Sequence, residues 1–171
     1  MELLVTGTAA RGGLDRILIG SVSSLLAARA PCPVLAVPLA AALEAAGPIL
    51  AGYDGAEHSL RAARVGATLA ARLGRELVLL HVAGRRDEDV RPDDRLASHL
   101  YGAAVAALGA EQDRPPLDLK VGLAVEEGDP VEELARVGRD RDAALIITGA
   151  RGRNVLTSAL LGSVSAGLVR A

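Results

Sequence analysis

An internal repeat constrains this chain more than any other feature of its sequence. When the sequence is shifted by 142 positions, residues 3–29 align with residues 145–171 without a gap, and 11 of the 27 aligned pairs are identical. The tetrapeptide Gly-Ser-Val-Ser occurs in register in both copies, at 20–23 and 162–165. Chance matches in a chain rich in Ala, Leu and Gly would not produce this block twice. The repeat therefore predicts the same supersecondary unit at both ends of the chain.

The residues between the two copies alternate between strand and helix patterns. Apolar runs predict strands at 49–53, 76–82, 117–125 and 143–148, and helical spacing predicts helices at 58–73, 95–112 and 131–138. The charged segment 84–94 between them is expected to be a loop. This alternation is typical of βαβ units and predicts an α/β fold with a mostly parallel sheet.

Composition and charge exclude several classes of function. The formal net charge of -2 argues against a protein that binds a nucleic-acid backbone. No apolar run reaches the roughly 18 to 20 residues that a membrane span needs, and the first residues lack the pattern of a signal peptide. The single cysteine, Cys32, cannot form an intramolecular disulfide. We therefore expect a soluble cytoplasmic protein with neither nucleic acid nor membrane as a partner.

A glycine-rich segment follows the strand of the second copy. Gly149 and Gly152 come directly after that strand, and nine residues separate Gly152 from the pair Gly162-Ser163. Glycines allow a backbone to approach a bound group closely, and Ser163 is expected to cap a helix over 164–171. A helix N-terminus beside such a loop is a place where phosphate binds. The alternative, that the glycines serve only a tight turn and close helix packing, stays open.

Several motifs together resemble the universal stress protein family. They are the glycine segment with its Gly-Ser-Val-Ser end, Ile-Leu-Ala-Gly-Tyr-Asp-Gly at 49–55, Leu-Leu-His-Val at 79–82 and Pro-Cys-Pro-Val-Leu-Ala-Val at 31–37. The resemblance implies a doubly wound, Rossmann-like sheet of five parallel strands in the order 3-2-1-4-5, with helices on both faces.

The resemblance covers the chain in two pieces. Residues 1–38 are similar to the last part of a first domain, residues 39–46 are the expected linker, and residues 47–171 are similar to a second domain. The second copy of the repeat stops at Ala171, where the first copy continues into its closing strand. The second domain is therefore expected to lack its final strand.

The resemblance also implies a nucleotide site for ATP, alone or with Mg²⁺. Asp54 would lie near the base and ribose, and the backbone of Val82 would meet the adenine. The residues expected to line the ribose and the phosphates are Thr148, Gly149, Gly152, Gly162, Ser163, Val164 and Ser165. The first copy has Ala10 where the second has Gly152, so residues 1–38 are not expected to bind nucleotide by themselves.

Two functions from different classes remain open at this point. The first is an ATP-binding sensor or regulator in a stress response, without enzymatic activity beyond slow, incidental hydrolysis, because the sequence shows no paired carboxylates or activated nucleophile. The alternative is a scaffold that does not bind nucleotide and acts through dimerisation or partner contact. We expect a homodimer in which residues 3–38 complete or extend the sheet of the partner, since an uncovered apolar edge strand invites association. Two alternatives stay open: the chain's own strand at 33–37 could reach this edge, because residues 39–48 can span roughly 33–36 Å, or the sequence is a fragment of a longer tandem protein.

Overall fold

The chain divides into two compact units. The computed structural model describes residues 2–8, 21–38, 46–83, 102, 119–150 and 162–168. The central unit is Glu44–Gly149, and the terminal unit is made of both ends of the chain, Met1–Leu43 and Ala150–Ala171. In the described ranges, no helix is long and apolar enough to cross a membrane.

The helices and strands alternate along the chain as the sequence patterns predict. In chain order they are β1 (Leu4–Gly7), α1 (Ser21–Arg29), β2 (Val34–Val37), β3 (Ile49–Gly52), α2 (Glu57–Leu73), β4 (Leu77–Ala83), β5 (Val121–Glu127), α3 (Pro130–Asp140), β6 (Leu145–Ile147) and α4 (Ser163–Leu168). The predicted loop at 84–94 and the predicted helix at 95–112 lie outside the described residues.

The central unit is built on a parallel sheet. Its strands lie in the order β5-β4-β3-β6, and every neighbouring pair is parallel. Numbered within the unit, this order is 3-2-1-4, so the described residues supply four of the five strands that the family fold implies. The α/β class and the parallel sheet are confirmed.

Helices cover both faces of this sheet. Successive side chains of a strand point to opposite faces, so the apolar residues of each strand need cover on both sides. On one face, Gly66 of α2 brings the helix so close that a Cβ added there would lie 2.9 Å from Leu77 Cδ1 and 3.6 Å from Ile147 Cδ1. On the other face, Gly138 of α3 meets the side chains of Ile146 and Leu50. The core between these layers is aliphatic apart from Tyr53, in a chain without Phe or Trp.

The ends of the helices follow local sequence signals. Asp129 caps α3 with its carboxylate, which accepts hydrogen bonds from the N–H groups of Val131 at 2.9 Å and Glu132 at 3.2 Å, and Pro130 follows at the first helical position. Gly74 ends α2 in the left-handed conformation, at φ 62° and ψ 35°. The sequence predicts both of these boundaries correctly.

The terminal unit contains a two-stranded parallel sheet of β1 and β2. Leu4 pairs with Val34, and the N–H groups of Leu4 and Thr8 donate to the carbonyls of Pro33 and Val37, both at 3.0 Å. The domain boundaries at 38 and 47 stay a prediction, and the linker at 39–46 lies outside the described residues apart from its last residue.

Candidate functional site

Four predicted site residues gather at one edge of the central sheet. Because β3, β4 and β6 are parallel, their carboxyl ends meet at this edge, where Asp54 follows β3, Val82 lies near the end of β4, and Thr148 and Gly149 follow β6. Strand β3 pairs with β4 on one side and with β6 on the other, so the strand order reverses there. In open α/β sheets, ligands bind in the crevice outside such a reversal.

The turn after β3 holds Asp54 in a defined position. One carboxylate oxygen, Oδ1, accepts a hydrogen bond from the N–H of Ala56 at 2.9 Å, and the N–H of Asp54 donates to Ser59 Oγ at 3.3 Å. Gly55 permits this turn because its φ is 79°, which other residues rarely adopt. Within the described part of the chain, the second carboxylate oxygen of Asp54 makes no hydrogen bond or ion pair. That oxygen is available to a ligand hydroxyl or amine.

A hydrogen bond between Tyr53 and His81 links the end of β3 to β4, next to Asp54 in the sequence. The Nδ1 of His81 lies 2.9 Å from the carbonyl oxygen of Tyr53. Since a carbonyl only accepts, Nδ1 carries the proton in this contact. Burial raises the pKa of the Tyr53 phenol above its ordinary 10.0, and the negative charge of Asp54 raises it further. Tyr53 was not among the residues that the sequence assigned to the site, because its burial, the larger cause of its raised pKa, depends on the tertiary structure.

Gly149 allows a close approach between the end of β6 and the start of α2. A Cβ added to Gly149 would lie 2.9 Å from both the backbone carbon and the carbonyl oxygen of His58. Thr148 makes a similar contact, since its Cγ2 would lie 3.3 Å from a Cβ at Gly52. Close helix packing, the alternative that the sequence left open for these glycines, therefore applies to Gly149.

The N-terminus of α2 lies at the same edge of the sheet. Its N-cap position is Ala56, which makes no side-chain hydrogen bond to the first turn. The first N–H groups of a helix have no partner within the helix, and together they carry a partial positive charge. An alanine cap leaves these groups without the oxygen that Ser or Asp would supply. This edge therefore combines a positioned carboxylate, a helix N-terminus and a close-packed glycine.

The remaining predicted site residues belong to the terminal unit. Gly152 lies outside the described residues. Gly162 and Ser165 are buried, Val164 is half-buried and Ser163 is exposed. The expectation that Ser163 caps the helix is wrong, because the carbonyl of Gly162 accepts the first helical bond, from the N–H of Ala166 at 2.9 Å, and Ser163 is already helical. A glycine at this position supplies the cap conformation without a side-chain oxygen.

The first copy of the repeat shows what the shared Thr and Ser residues do there. Thr6 and Ser23, which correspond to Thr148 and Ser165, have their hydroxyl oxygens 3.2 Å apart. Ser23 Oγ also donates to the carbonyl of Gly7 at 3.0 Å. In the first copy these hydroxyls therefore connect the first turn of α1 to the end of β1. Ser165 is buried like Ser23.

Metal-binding side chains do not cluster in the residues that the structure describes. No group of three or more His, Cys, Asp or Glu residues in those ranges could hold an ion. Cys32 is a free, half-buried thiol between two prolines.

Comparison with known proteins agrees with the resemblance seen in the motifs. The profile of the Universal stress protein family matches residues 1–38 and 46–171. The universal stress protein Rv2005c of Mycobacterium tuberculosis is 34% identical to this chain over 176 residues. The match covers 99% of this chain and 59% of that protein. The chain thus spans about three fifths of the length of this relative.

Solved structures show the same architecture. A universal stress protein from Archaeoglobus fulgidus superposes with a TM-score of 0.72 at 24% identity, over 98% of this chain and 58% of that one. A universal stress protein crystallised in complex with cAMP superposes with a TM-score of 0.51 at 27% identity, over 73% of this chain and 90% of that one. Profile, relatives and fold agree, and the chain belongs to the universal stress protein family.

Proposed function

We propose that this chain binds ATP, alone or with Mg²⁺, and acts as a sensor or regulator in a stress response. One observation carries the proposal: Asp54 and the Thr148-Gly149 pair follow the two strands between which the order of the central sheet reverses. That crevice is where open α/β sheets bind nucleotides. The cAMP complex of a family member at 27% identity supports an adenine nucleotide as the class of ligand.

The residues of the central unit take distinct parts in this proposal. The free oxygen of Asp54 accepts hydrogen bonds from the ribose hydroxyls, and the backbone of Val82 meets the adenine edge. Thr148 and Gly149 lie beside the ribose and the phosphates, as do Gly152, Gly162, Ser163, Val164 and Ser165 in the family resemblance. The hydrogen bond from the N–H of Ala56 already fixes the Asp54 carboxylate in the turn. Binding therefore costs little additional conformational entropy for this side chain.

The proposed role is binding without appreciable catalysis. ATP bound at this edge would bias conformation or partner choice, and hydrolysis would be slow and incidental. We further propose that the protein works in the cytoplasm and as a homodimer. A hydrolysis assay over several hours, with ATP measured before and after, tests the absence of appreciable catalysis. Turnover on the scale of ordinary enzymes, about 1 per second or more, would contradict it.

A second function has one observation in its favour. In the first copy, Thr6 and Ser23 use their hydroxyls on each other and on the carbonyl of Gly7. If Thr148 and Ser165 are used in the same structural way, these two hydroxyls are not free to bind a nucleotide. The protein would then act as a scaffold for dimerisation or for a partner.

The two functions are separated by releasing and measuring any bound nucleotide. The purified protein is denatured and the supernatant is analysed by mass spectrometry, and calorimetry then measures ATP binding to the nucleotide-free protein. We expect one ATP per chain. Absence of both a released nucleotide and a calorimetric signal would contradict the proposal and favour the scaffold.

Variants of two matched aspartates locate the site. Asp54→Ala should weaken ATP binding because it removes the free carboxylate oxygen. Asp129→Ala is the control, since Asp129 also accepts backbone N–H bonds but caps α3 and follows β5, the strand at the opposite end of the sheet from β6. Asp129→Ala should lower stability by about 1 kcal/mol and leave ATP affinity unchanged. Equal losses of affinity in both variants would argue for a general effect on folding and against this site.

A stronger variant tests the phosphate side. Gly152→Val should abolish ATP binding, because a branched side chain would occupy the space of the phosphates. The matched change in the first copy, Ala10→Val, is expected to leave binding unchanged. Unchanged affinity in Gly152→Val would place the phosphates elsewhere.

A further inference from the structure

Strand β4 extends beyond the point where β3 ends. Gly52 and Leu80 are the last pair of residues in the register between these two strands, whereas β4 continues to Ala83. On its other side, β4 stays paired with β5 as far as Ala83 and Glu127. The end of β4 is therefore held in place by β5, and among the described strands none lies beside it on the side of β3. That side borders the crevice at the carboxyl ends of the strands.

The bonds between β3 and β4 show which backbone groups of β4 face this side. Ile49 donates its N–H to the carbonyl of Glu76, and Tyr53 donates to that of Leu80, both at 2.9 Å. Backbone groups of successive residues in a strand point to opposite neighbours, so the even-numbered residues here direct their N–H and carbonyl groups at β3. The next even-numbered residue is Val82. In a regular parallel ladder, its N–H would donate to the carbonyl of Tyr53.

The ring of His81 takes this carbonyl instead. Its Nδ1 donates to the carbonyl oxygen of Tyr53 at 2.9 Å, and within the described residues no bond joins the N–H of Val82 to that oxygen. Tyr53 is only 7% exposed, and a buried carbonyl needs a donor. Because the imidazole supplies the donor, the N–H of Val82 is left out of the ladder. Val82 itself is half-buried, so its backbone is open to the crevice.

The two free backbone groups of Val82 are complementary to adenine. On the edge remote from the ribose, adenine carries the acceptor N1 beside the donor 6-amino group. A backbone N–H and the carbonyl of the same residue offer a donor and an acceptor on one side of a strand. The N–H of Val82 is therefore suited to N1, and its carbonyl to the amino group.

We propose that His81 is a positioning residue of the nucleotide site: it bonds to the Tyr53 carbonyl and thereby keeps the N–H of Val82 free for N1 of adenine. This inference rests on the proposed binding of ATP and adds the residue that prepares the adenine side of the site. In this role His81 acts through Val82 and needs no contact with the nucleotide itself.

Removal of the imidazole donor would change the partner of the buried carbonyl. The Tyr53 oxygen would lose its hydrogen bond, and an unsatisfied buried carbonyl is costly. The next donor in the ladder is the N–H of Val82, which would then pair with Tyr53 and extend the sheet. Adenine would lose one donor, and the fold of the central unit would be kept.

Two substitutions of similar shape separate the hydrogen bond from the bulk of the side chain. His81→Leu removes the donor, whereas His81→Asn places an amide N–H close to the position of Nδ1. Calorimetry measures binding of ATP, and of 1-deaza-ATP with C–H in place of N1, to both variants and to the original chain. We expect His81→Leu to bind ATP about three- to tenfold more weakly, the effect of one hydrogen bond. His81→Asn should restore most of this affinity.

The analogue shows whether the effect passes through N1. The original chain should prefer ATP to 1-deaza-ATP by about three- to tenfold, for the same reason, and His81→Leu should lose this preference. An unchanged ATP affinity in His81→Leu would overturn the role of His81 while the proposed function stands. A loss that is equal for both ligands, or that His81→Asn does not restore, would assign His81 to the stability of the fold and overturn its role here. Absence of ATP binding to the original chain would overturn the proposed function and this inference together.

Amide hydrogen exchange followed by NMR tests the free N–H without any substitution. In the nucleotide-free chain, Val82 should exchange faster than Leu80, which lies within the paired ladder. Addition of ATP should slow the exchange of Val82. If Val82 is as protected as Leu80 before ATP is added, its N–H is already paired, and the proposal is wrong even where His81→Leu fails to fold.

Discussion

Strands β1 and β6 have almost the same sequence and very different surroundings. In the central unit, Leu145 and Ile147 pack against the buried core beneath α2. The corresponding residues of the terminal unit, Leu3 and Val5, are 40% and 60% exposed. The periodicity of the two segments is the same, so the pattern alone predicts a buried strand in both places. Among the described residues, the difference lies in one face of each strand: α2 packs over that face of β6, and the matching face of β1 is exposed.

The paired glycines show the same contrast at a single position. A Cβ at Gly7 would meet nothing within 4 Å, whereas a Cβ at Gly149 would lie 2.9 Å from the backbone of His58. The two glycines are identical in the alignment of the repeat. The surroundings of Gly149 leave no room for a side chain, whereas those of Gly7 do.

The largest expected difference is between matched truncations of the two strands. Ile147→Ala should lower the free energy of unfolding by about 2–3 kcal/mol, because it leaves a cavity against α2. Val5→Ala should cost less than about 0.5 kcal/mol, since the side chain is mostly in water. Urea unfolding followed by circular dichroism measures both. Similar losses in the two variants would show that the exposed face of β1 is covered in solution.

The matched glycine substitutions should differ by a smaller amount. Gly149→Ala forces the end of β6 away from the first turn of α2 and should cost about 1–3 kcal/mol. Gly7→Ala has room for its methyl group and should change stability by no more than about 0.5 kcal/mol. Thermal unfolding of the two proteins side by side checks this. An undisturbed Gly149→Ala variant would remove the packing explanation for that glycine.

The two buried serines should separate structural from binding roles. Ser23→Ala removes the hydrogen bond to the Gly7 carbonyl and should destabilise the terminal unit by about 0.5–1.5 kcal/mol, seen as faster amide exchange in α1. ATP affinity should not change. Ser165→Ala should weaken ATP binding if its hydroxyl contacts the phosphates. An effect on stability alone in both variants would favour the scaffold function.

The smallest expected effect concerns Tyr53, which has no counterpart in the terminal unit. Its pKa is raised by burial and then by the charge of Asp54, so Asp54→Asn should lower it. The folded chain keeps the phenol proton to a higher pH than the unfolded chain. Stability from this group is therefore fully present below pH 10.0 and is lost as the pH rises through the raised value.

Ultraviolet titration of the phenolate follows this group in a Tyr101→Phe background, because the chain has only two tyrosines and no tryptophan. Asp129→Asn serves as the control for the loss of one negative charge elsewhere. No difference between the Asp54 and Asp129 variants would mean that Asp54 does not act on Tyr53.

Local signals in the sequence predict much of the central unit. The Asp129-Pro130 start of α3, the Gly74 end of α2 and the Asp54-Gly55 turn depend on the conformations and hydrogen bonds of a few neighbouring residues. For the same reason the repeat correctly predicts a strand and a helix in each copy. The helix cap is the exception: Gly162, and not Ser163, accepts the first helical bond. A glycine and a serine are both acceptable caps, so composition does not choose between them.

Periodicity and short-range backbone chemistry are enough to predict the alternation of strands and helices, the parallel sheet and the residues that follow each strand. The tertiary contacts settle which strand of the repeat has its apolar face buried, why Gly149 cannot carry a side chain, and why Tyr53 is buried. Each of these depends on contacts between segments far apart in the chain. Such contacts decide how much of a strand is buried, and two segments with the same local pattern can therefore differ in burial.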